Sequence, residues 1–249
     1  VCVVVQEGSQ YETPKVPLVI VKDTRVALSI LSENFYGNPS KDLTIIGVTG
    51  TNGKTTTTYM LQNIFEQAGR SCGLVGTIFY QAGKDRYEAS HTTPESKEIS
   101  RLFRQMIEGG NVCCAMEVSS HSLALHRVDS VDFDYGIFTN LTEDHLDFHS
   151  DFEDYFQAKK RLFSLVKQAG LVNIDDPYGN RLYQELLDEG KQVFSLSAKD
   201  EGADYYARVL TKTDTYSTVE IYRKGTPLLE MTIPVPGSFS VYNGLSAFA

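Results

Sequence analysis

The sequence contains no tryptophan, only four methionines and four cysteines, and no long apolar segment. A membrane-spanning helix needs about 20 consecutive apolar residues, whereas the longest apolar runs here, such as 1–5 and 18–21, have the length of a β-strand. No basic segment precedes an apolar core at the start of the sequence, as it does in a secretory signal peptide. We therefore expect no insertion into a membrane and a cytoplasmic location.

Basic residues are in the minority, with 23 Lys and Arg against 32 Asp and Glu and a formal net charge of −9. An acidic chain without a basic cluster argues against nucleic acid as a partner. The charge does not exclude a small phosphate-bearing ligand, because backbone N–H groups at a helix amino terminus can bind phosphate locally.

The four cysteines, Cys2, Cys72, Cys113 and Cys114, lack the spacing of a metal site or of a Cys-x-x-Cys motif. Because successive side chains of a strand point to opposite faces, we expect the adjacent Cys113 and Cys114 on opposite sides of a sheet. We predict buried, reduced thiols, as in a cytosolic protein.

The remaining composition, 41% hydrophobic and 22% charged, is typical of a folded globular protein. Apolar patterning predicts strands at 1–5, 18–21, 43–48, 73–79, 112–118, 133–138, 171–174 and 192–196, a hairpin turn at 81–85, and helices at 24–36, 54–68, 94–108, 151–167, 178–188 and 241–249. Three further strands, at 205–210, 218–223 and 228–233, predict a small antiparallel β meander. The alternation of strands and helices indicates an α/β fold with a mostly parallel sheet in a three-layer αβα arrangement.

A cluster of turn residues at 37–40 predicts a domain boundary. Residues 1–40 would then be the end of a smaller α/β domain, and residues 41–249 a central domain. The sequence opens within a predicted strand without Met and ends within a predicted helix. We interpret it as a piece of a longer protein.

Residues 45–57 combine a strand, a glycine-containing turn and a Gly-Lys-Thr sequence that opens a helix, which is the context of a phosphate-binding loop. Backbone N–H groups of such a loop surround phosphate oxygens. Lys54 would reach the β- and γ-phosphates, and Thr55 would offer its hydroxyl to Mg²⁺. Val48 stands where the common spacing has glycine, so the loop is a variant. The alternative is a glycine-rich turn that carries Lys-Thr by chance.

Four motifs together resemble a known family. In order they are Gly50-Thr51-Asn52-Gly53-Lys54-Thr55-Thr56, His91-Thr92-Thr93-Pro94-Glu95, Met116-Glu117-Val118-Ser119-Ser120-His121-Ser122-Leu123 and Thr139-Asn140-Leu141-Thr142-Glu143-Asp144-His145-Leu146-Asp147-Phe148-His149. They resemble the Mur ligase superfamily, and within it the MurE type, over nearly the whole chain. Four motifs in register are far more specific than a phosphate-binding loop alone.

The resemblance implies an ATP-dependent, amide-bond-forming ligase of bacterial peptidoglycan synthesis. Such an enzyme adds a diamino acid, meso-diaminopimelate or L-lysine, to UDP-N-acetylmuramoyl-L-alanyl-D-glutamate through an acyl phosphate, with ATP and Mg²⁺ as cofactors. It also implies that residues 1–40 are the remnant of an amino-terminal UDP-substrate-binding domain and residues 41–249 the central ATP-binding domain, without the carboxy-terminal domain. We expect a monomer, and we expect this piece alone to be inactive.

The resemblance further assigns site residues. The catalytic set is Lys54, Glu117, His145 and Lys159; the ATP-binding set is Gly50, Thr51, Asn52, Gly53, Lys54, Thr55, Thr56 and Asn243; the substrate-binding set is Thr92, Thr93, Ser119 and Arg127; the Mg²⁺ ligands are Thr55, Glu117, His145 and Lys159 as its carbamate (N6-carboxylysine). Two positions depart from the family pattern: Ser240 replaces an Asn near adenine, and Leu125 replaces a polar residue before Arg127.

Each assignment has a physical reading and an alternative. Glu117 follows an apolar strand, and ligands of open α/β sheets bind at that edge, although a capping or surface Glu is the alternative. Histidine is an unusual Mg²⁺ ligand, so Asp144 and Asp147 are alternatives to His145, while His149 is interpreted as a loop histidine. Carbamate formation needs a neutral amine, which burial or nearby cations would favour at Lys159.

Further alternatives concern residues next to the assigned ones. Lys160 is the register alternative to Lys159, and with Arg161 it could form a solvated basic helix face. Thr92 and Thr93 could cap the helix that Pro94 opens. At the level of function, the alternatives are a folylpolyglutamate synthase-like ligase, a generic kinase or GTPase, and an inactive nucleotide-binding scaffold.

Overall fold

The computed structural model describes residues 2–10, 15–143 and 148–249. Its strands are β1 (Val3–Gln6), β2 (Leu18–Val21), β3 (Thr44–Thr49), β4 (Cys72–Val75), β5 (Phe79–Ala82), β6 (Asp85–Glu88), β7 (Cys113–Glu117), β8 (Phe133–Phe138), β9 (Val166–Asn173), β10 (Val193–Ser197), β11 (Tyr205–Lys212), β12 (Ser217–Arg223) and β13 (Thr226–Ile233). Its helices are α1 (Thr24–Phe35), α2 (Lys54–Gln67), α3 (Ser96–Glu108), α4 (Ser120–Ala124), α5 (Phe152–Leu165), α6 (Pro177–Asp188) and α7 (Ser238–Phe248), with a 3-10 turn at Pro39–Asp42.

Eleven strands form one sheet in the order β13-β12-β11-β10-β9-β8-β3-β7-β4-β5-β6. The central neighbours in this sheet pair in parallel; they are β11, β10, β9, β8, β3, β7 and β4. Antiparallel strands extend the sheet at both ends, with β12 and β13 beyond β11 and with β5 and β6 beyond β4. This confirms the mostly parallel α/β fold. The predicted meander of β11, β12 and β13 is continuous with the main sheet, because β11 pairs in parallel with β10. Strands β1 and β2 form a separate parallel pair.

Helices cover both faces of the sheet, which explains why its central strands are apolar throughout. Helices α3, α5 and α6 pack on one face, and α2 and α7 on the other. Cys114 lies in the first of these two cores and Cys113 in the second, as the alternation of a strand predicts. Both thiols and that of Cys72 are buried and free, whereas Cys2 is exposed.

The predicted strand at 73–79 is wrong, because the chain reverses within it. Strand β4 ends at Val75 and β5 runs antiparallel to it from Phe79. Between them Gly76 lies so close to Glu117 that a Cβ on residue 76 would overlap the Glu117 carboxylate. The reversal therefore delivers residues 76–78 to the carboxyl end of β7.

Helix α1 is hydrogen-bonded to the main body. The Glu33 carboxylate is buried and accepts hydrogen bonds from the hydroxyls of Ser40 (2.7 Å) and Ser100 (2.8 Å). Arg104 on α3 donates to the carbonyl of Tyr36 at 2.6 Å. A buried carboxylate needs such partners, so α1 and α3 are held in one arrangement. The division into residues 1–40 and 41–249 stays a prediction.

In the described part of the chain, no helix combines the length and the apolar character that crossing a membrane requires.

Gly179 in α6 provides a test of the packing beside the site. A Cβ there would overlap the carbonyl oxygen of Asn173, the last residue of β9. Gly→Ala in a helix normally stabilises by about 0.5–1 kcal/mol, but here we expect Gly179→Ala to lower the free energy of unfolding by about 2 kcal/mol. Urea unfolding of the full-length protein measures it. Gly202→Ala is the control, since its Cβ would meet the flexible Asp200 side chain; equal midpoints for the two variants would contradict the packing.

Candidate active site

The loop between β3 and α2 has a backbone that two glycines make possible. Gly50 has φ +140° and Gly53 has φ +89°, a region that favours glycine. A Cβ at residue 50 would overlap the Thr139 hydroxyl, and one at residue 53 would overlap the Asn243 side chain. Glycine is thus required at both positions for conformation and for space, in the strand-to-helix setting expected of a phosphate-binding loop.

Residues that follow β8 hold this loop in place. The Thr139 hydroxyl donates to the carbonyl of Asn52 at 2.6 Å, and the Asn52 N–H donates to the Asn140 side chain at 3.0 Å. The Thr51 N–H donates to the Asn140 carbonyl at 2.9 Å. Thr139 and Asn140 open the fourth sequence motif, from which no role was predicted for them. Their position directly after a buried parallel strand next to β3 was the available signal.

Two lysines meet at one backbone oxygen of the loop. Lys54 donates to the Gly50 carbonyl at 2.8 Å, and Lys159 from α5 donates to the same oxygen at 2.9 Å. Lys159 is only 1% exposed, and its amine lies 4.4 Å from the ring centroid of Tyr155. The burial that the carbamate interpretation requires of Lys159 is therefore present, while the carbamate itself stays a prediction.

Lys160 has a different environment from its neighbour. Its amine pairs with Glu185 and Glu189, both at 2.7 Å, on the side of α5 that faces α6. These pairs raise the pKa of Lys160 against the opposing effect of partial burial. Adjacent residues of a helix point about 100° apart, so only Lys159 reaches the loop.

Glu117 is the last residue of β7, at the sheet edge where the loop also lies. The residue is 1% exposed, so it is not a surface glutamate, and the helix that follows it is capped by Ser119 instead. Its carboxylate accepts hydrogen bonds from the Thr55 hydroxyl (3.1 Å), the Thr77 N–H (2.9 Å) and the Thr77 hydroxyl (3.1 Å). Thr77 was not identified from the sequence, because it lay inside the strand wrongly predicted at 73–79.

The predicted substrate-binding residues lie beside Glu117. The Thr93 hydroxyl donates to the Glu117 carbonyl at 2.8 Å and accepts from the Ser119 N–H at 3.0 Å. Arg127 donates to the Thr93 carbonyl at 3.0 Å and pairs with Glu95 at 2.7 Å. The capping interpretation of the two threonines is wrong, because the residue that caps α3 is Glu95, without a side-chain hydrogen bond.

His145 and its alternatives, Asp144 and Asp147, lie outside the described residues. Among the described ones, no three His, Cys, Asp or Glu side chains are grouped so that they could hold a metal ion. His149 was interpreted as a loop histidine but is buried, with Nδ1 3.2 Å from an Asp154 carboxylate oxygen and its ring 5.0 Å from that of Tyr155.

Helix α7 brings Asn243 against the loop, where its side chain contacts Gly53. Next to it a cavity of about 420 Å³ opens between α2 and the end of β13. Its lining is mostly apolar and includes Thr56, Tyr59, Met60, Ile233, Val235 and Gly244. Ser240 stands where the family pattern has Asn. Its hydroxyl donates to the Gly237 carbonyl at 2.6 Å, a hydrogen bond within the first turn of α7.

A parallel strand, a loop with two required glycines, a lysine folded across it and the start of a helix define the phosphate-binding-loop class of α/β proteins. The family model of the Mur ligase middle domain matches residues 48–249. The chain belongs to that family, which confirms the resemblance of its motifs.

Curated relatives carry the name UDP-N-acetylmuramoyl-L-alanyl-D-glutamate–2,6-diaminopimelate ligase. The protein from Caldanaerobacter subterraneus subsp. tengcongensis is 45% identical, over 98% of this chain and 50% of its own length. That from Clostridioides difficile is 46% identical, over 92% of this chain and 47% of its own length. The chain spans about half the length of the curated relatives it matches.

Solved structures share the fold. A ligase structure of the same name has a TM-score of 0.82 at 24% identity, over 95% of this chain and 49% of its own. The Mycobacterium tuberculosis folylpolyglutamate synthase, complexed with ADP and AMPPCP, has a TM-score of 0.68 at 13% identity, over 91% of this chain and 57% of its own.

Thr139 tests how the loop is held. We expect Thr139→Val to weaken the affinity of the full-length protein for Mg²⁺·ADP about fivefold, because losing one hydrogen bond to the Asn52 carbonyl costs about 1 kcal/mol. Isothermal titration calorimetry measures it, with Thr139→Ser as the control that keeps the hydroxyl. An affinity of Thr139→Val equal to that of the serine variant would show that the loop does not need this bond.

Proposed function

We propose that the protein containing this chain is an ATP-dependent ligase of the bacterial cytoplasm that joins 2,6-diaminopimelate to UDP-N-acetylmuramoyl-L-alanyl-D-glutamate. The observation that carries the proposal is the convergence of the phosphate-binding loop, the buried Glu117 and the buried Lys159 at one edge of the sheet. The names of relatives that are 45% and 46% identical support the substrates.

ATP would bind along the loop and the start of α2. Backbone N–H groups of residues 50–56 suit its phosphates, and Lys54 lies across the loop, 2.8 Å from both the Gly50 and Thr51 carbonyls. The apolar cavity beside Thr56 and Asn243 has the size and lining for a nucleobase. The Asn243 amide could then hydrogen-bond a base edge.

The residues present fit a hard divalent cation. Thr55 donates its hydroxyl proton to Glu117, which leaves the oxygen lone pairs of Thr55 available beside a buried carboxylate. Thr55, Glu117, His145 and the carbamate of Lys159 would hold Mg²⁺. When bound, Mg²⁺ neutralises charge on the phosphoryl group that is transferred.

Lys159 would carry the carbamate. Its neutral amine attacks the carbon of CO₂: a C–N bond forms, one C–O π bond breaks so that the charge rests on oxygen, and one N–H proton is released to solvent. A neutral amine thereby becomes an anionic carbamate. The amine of Lys159 is buried and lies at the same Gly50 carbonyl oxygen as that of Lys54, next to the phosphate-binding loop. The carbamate would place a negative charge beside the loop where the ATP phosphates are expected. Such a charge suits a ligand of Mg²⁺, because without a cation between them the carbamate and the phosphates would repel each other.

The acceptor substrate would lie against Thr92, Thr93, Ser119 and Arg127. A guanidinium suits a carboxylate or phosphate, and the buried Nε of Arg127 has no hydrogen-bond partner among the described residues.

The proposed reaction has two steps. The γ-phosphoryl of ATP moves to the D-glutamate side-chain carboxylate and ADP leaves. The amine of the diamino acid then attacks the acyl carbon, phosphate leaves, and the amine loses a proton as the amide forms.

The defining experiment uses the full-length protein with ATP, Mg²⁺ and UDP-N-acetylmuramoyl-L-alanyl-D-glutamate, and offers diaminopimelate and L-lysine separately. We expect ADP, phosphate and an amide product of the matching mass with diaminopimelate. Product with lysine alone would correct the amino acid. ATP binding without product from either would overturn the proposal in favour of the scaffold alternative. A parallel assay offers glutamate and a folate with ATP, and product there would favour the folylpolyglutamate synthase-like ligase.

Lys159 and Lys160 form a matched pair for testing the carbamate. We expect Lys159→Ala to lower kcat at least about 100-fold, because a metal ligand and its charge are lost. Lys160→Ala should stay within about twofold, since partly exposed ion pairs contribute little.

A second measurement separates the carbamate from other roles of the amine. Wild-type protein in ¹³C-bicarbonate should show a carbamate carbon resonance that Lys159→Ala lacks and Lys160→Ala keeps. A resonance lost only in Lys160→Ala would reverse the assignment.

A further inference from the structure

Thr77 makes contacts on two sides of the candidate site. Its backbone N–H donates to Oε1 of Glu117 at 2.9 Å, and its hydroxyl lies 3.1 Å from Oε2 of the same carboxylate. The hydroxyl also lies 3.1 Å from the hydroxyl of Thr92. One residue therefore holds both oxygens of Glu117 and contacts the loop expected to bind the acceptor substrate.

The hydroxyl of Thr77 carries one proton and has two acceptors within reach, the Glu117 carboxylate and the Thr92 hydroxyl oxygen. It donates to either of them, so the Thr77 hydroxyl lies directly between the two. Thr55 donates to the same carboxylate from the nucleotide side.

The chain reversal between β4 and β5 places Thr77 there. Gly76 has no side chain, and a Cβ at that position would overlap Oε1 of Glu117. The close approach aims the next N–H at that oxygen. Because Glu117 is buried at the end of a central strand, its carboxylate has few other orientations once these three donors are in place.

We propose that Thr77 is a positioning residue that sets the orientation of the Glu117 carboxylate for a divalent cation and links it to Thr92 on the acceptor side. The inference rests on the proposed function for the identity of the cation and the acceptor. Outer hydrogen-bond partners of metal ligands commonly change metal affinity by about 10–100-fold. Through the same hydroxyl, a change at Thr92 alters the hold on Glu117.

The test measures metal binding as well as activity. Mn²⁺, detected by electron paramagnetic resonance, replaces Mg²⁺ in titrations of the full-length protein in the presence of ADP. We expect Thr77→Val to weaken Mn²⁺ binding about tenfold, because the hydroxyl is lost and the backbone bond stays. Thr77→Ser should stay within about twofold, since it keeps the hydroxyl. If the valine variant does not fold, Thr77→Ala makes the same comparison.

Thr215→Val is the matched control, because its hydroxyl contacts that of Thr213 at 3.3 Å in the exposed turn between β11 and β12. It should leave Mn²⁺ binding unchanged. Thr92→Val should change Mn²⁺ binding a few-fold alone and have no further effect in the Thr77→Val background, since residues that share one hydrogen bond are not additive. In steady-state assays, Thr77→Val should lower kcat and raise KM for the UDP-linked substrate, while KM for ATP changes less.

Three results would overturn the inference: Thr77→Val binds Mn²⁺ as wild type does, Thr77→Ser is as weak as the valine variant, or the effects of Thr77→Val and Thr92→Val add. A wild-type protein that binds no Mn²⁺ with ADP would overturn the metal site as well. Mn²⁺ binding with the expected pattern, but without amide product, would support the role of Thr77 and reject the proposed reaction. The two failures are therefore distinguishable.

Discussion

The carbonyl oxygen of Gly50 accepts hydrogen bonds from two lysine amines, and the candidate site is arranged around it. Lys54 comes from the helix that the loop opens, and Lys159 comes from a helix 109 positions away from Gly50 in the sequence. The shared oxygen brings side chains from two helices to the loop. Backbone N–H groups at the start of α2 suit an anion there, even though the chain as a whole is acidic.

Glu117 supplies the opposite charge a short distance along the same sheet edge. Hydroxyls from three different segments converge on this residue, with Thr55 and Thr77 at its carboxylate and Thr93 at its carbonyl. A buried carboxylate requires such donors, so the need to satisfy Glu117 also fixes the relative positions of the nucleotide loop, the β4–β5 reversal and the residues before α3. Stability and the proposed chemistry depend on the same hydrogen bonds.

Where the predictions from sequence were wrong, a distant residue had determined the local structure. The strand expected at 73–79 breaks because Gly76 packs on Glu117, which lies far along the sequence. The threonine pair before Pro94 looked like a helix cap, but the Thr93 hydroxyl bonds to the end of β7 instead. Local patterns cannot register such contacts, because hydrogen bonds and burial across the fold compete with local preferences.

The sequence by itself determined the α/β class, the succession of the central strands and helices along the chain, and the phosphate-binding loop. Those features depend on local periodicity and on residues adjacent in the chain, such as Gly53 and Lys54. Only the tertiary structure decided that Lys159 rather than Lys160 reaches the loop, that Thr139 supports it, and that Thr77 holds Glu117. The physical reason is that parallel strands bring their carboxyl ends to one edge. Residues far apart in the chain become neighbours there, and their hydrogen bonds are set by the packing of whole elements.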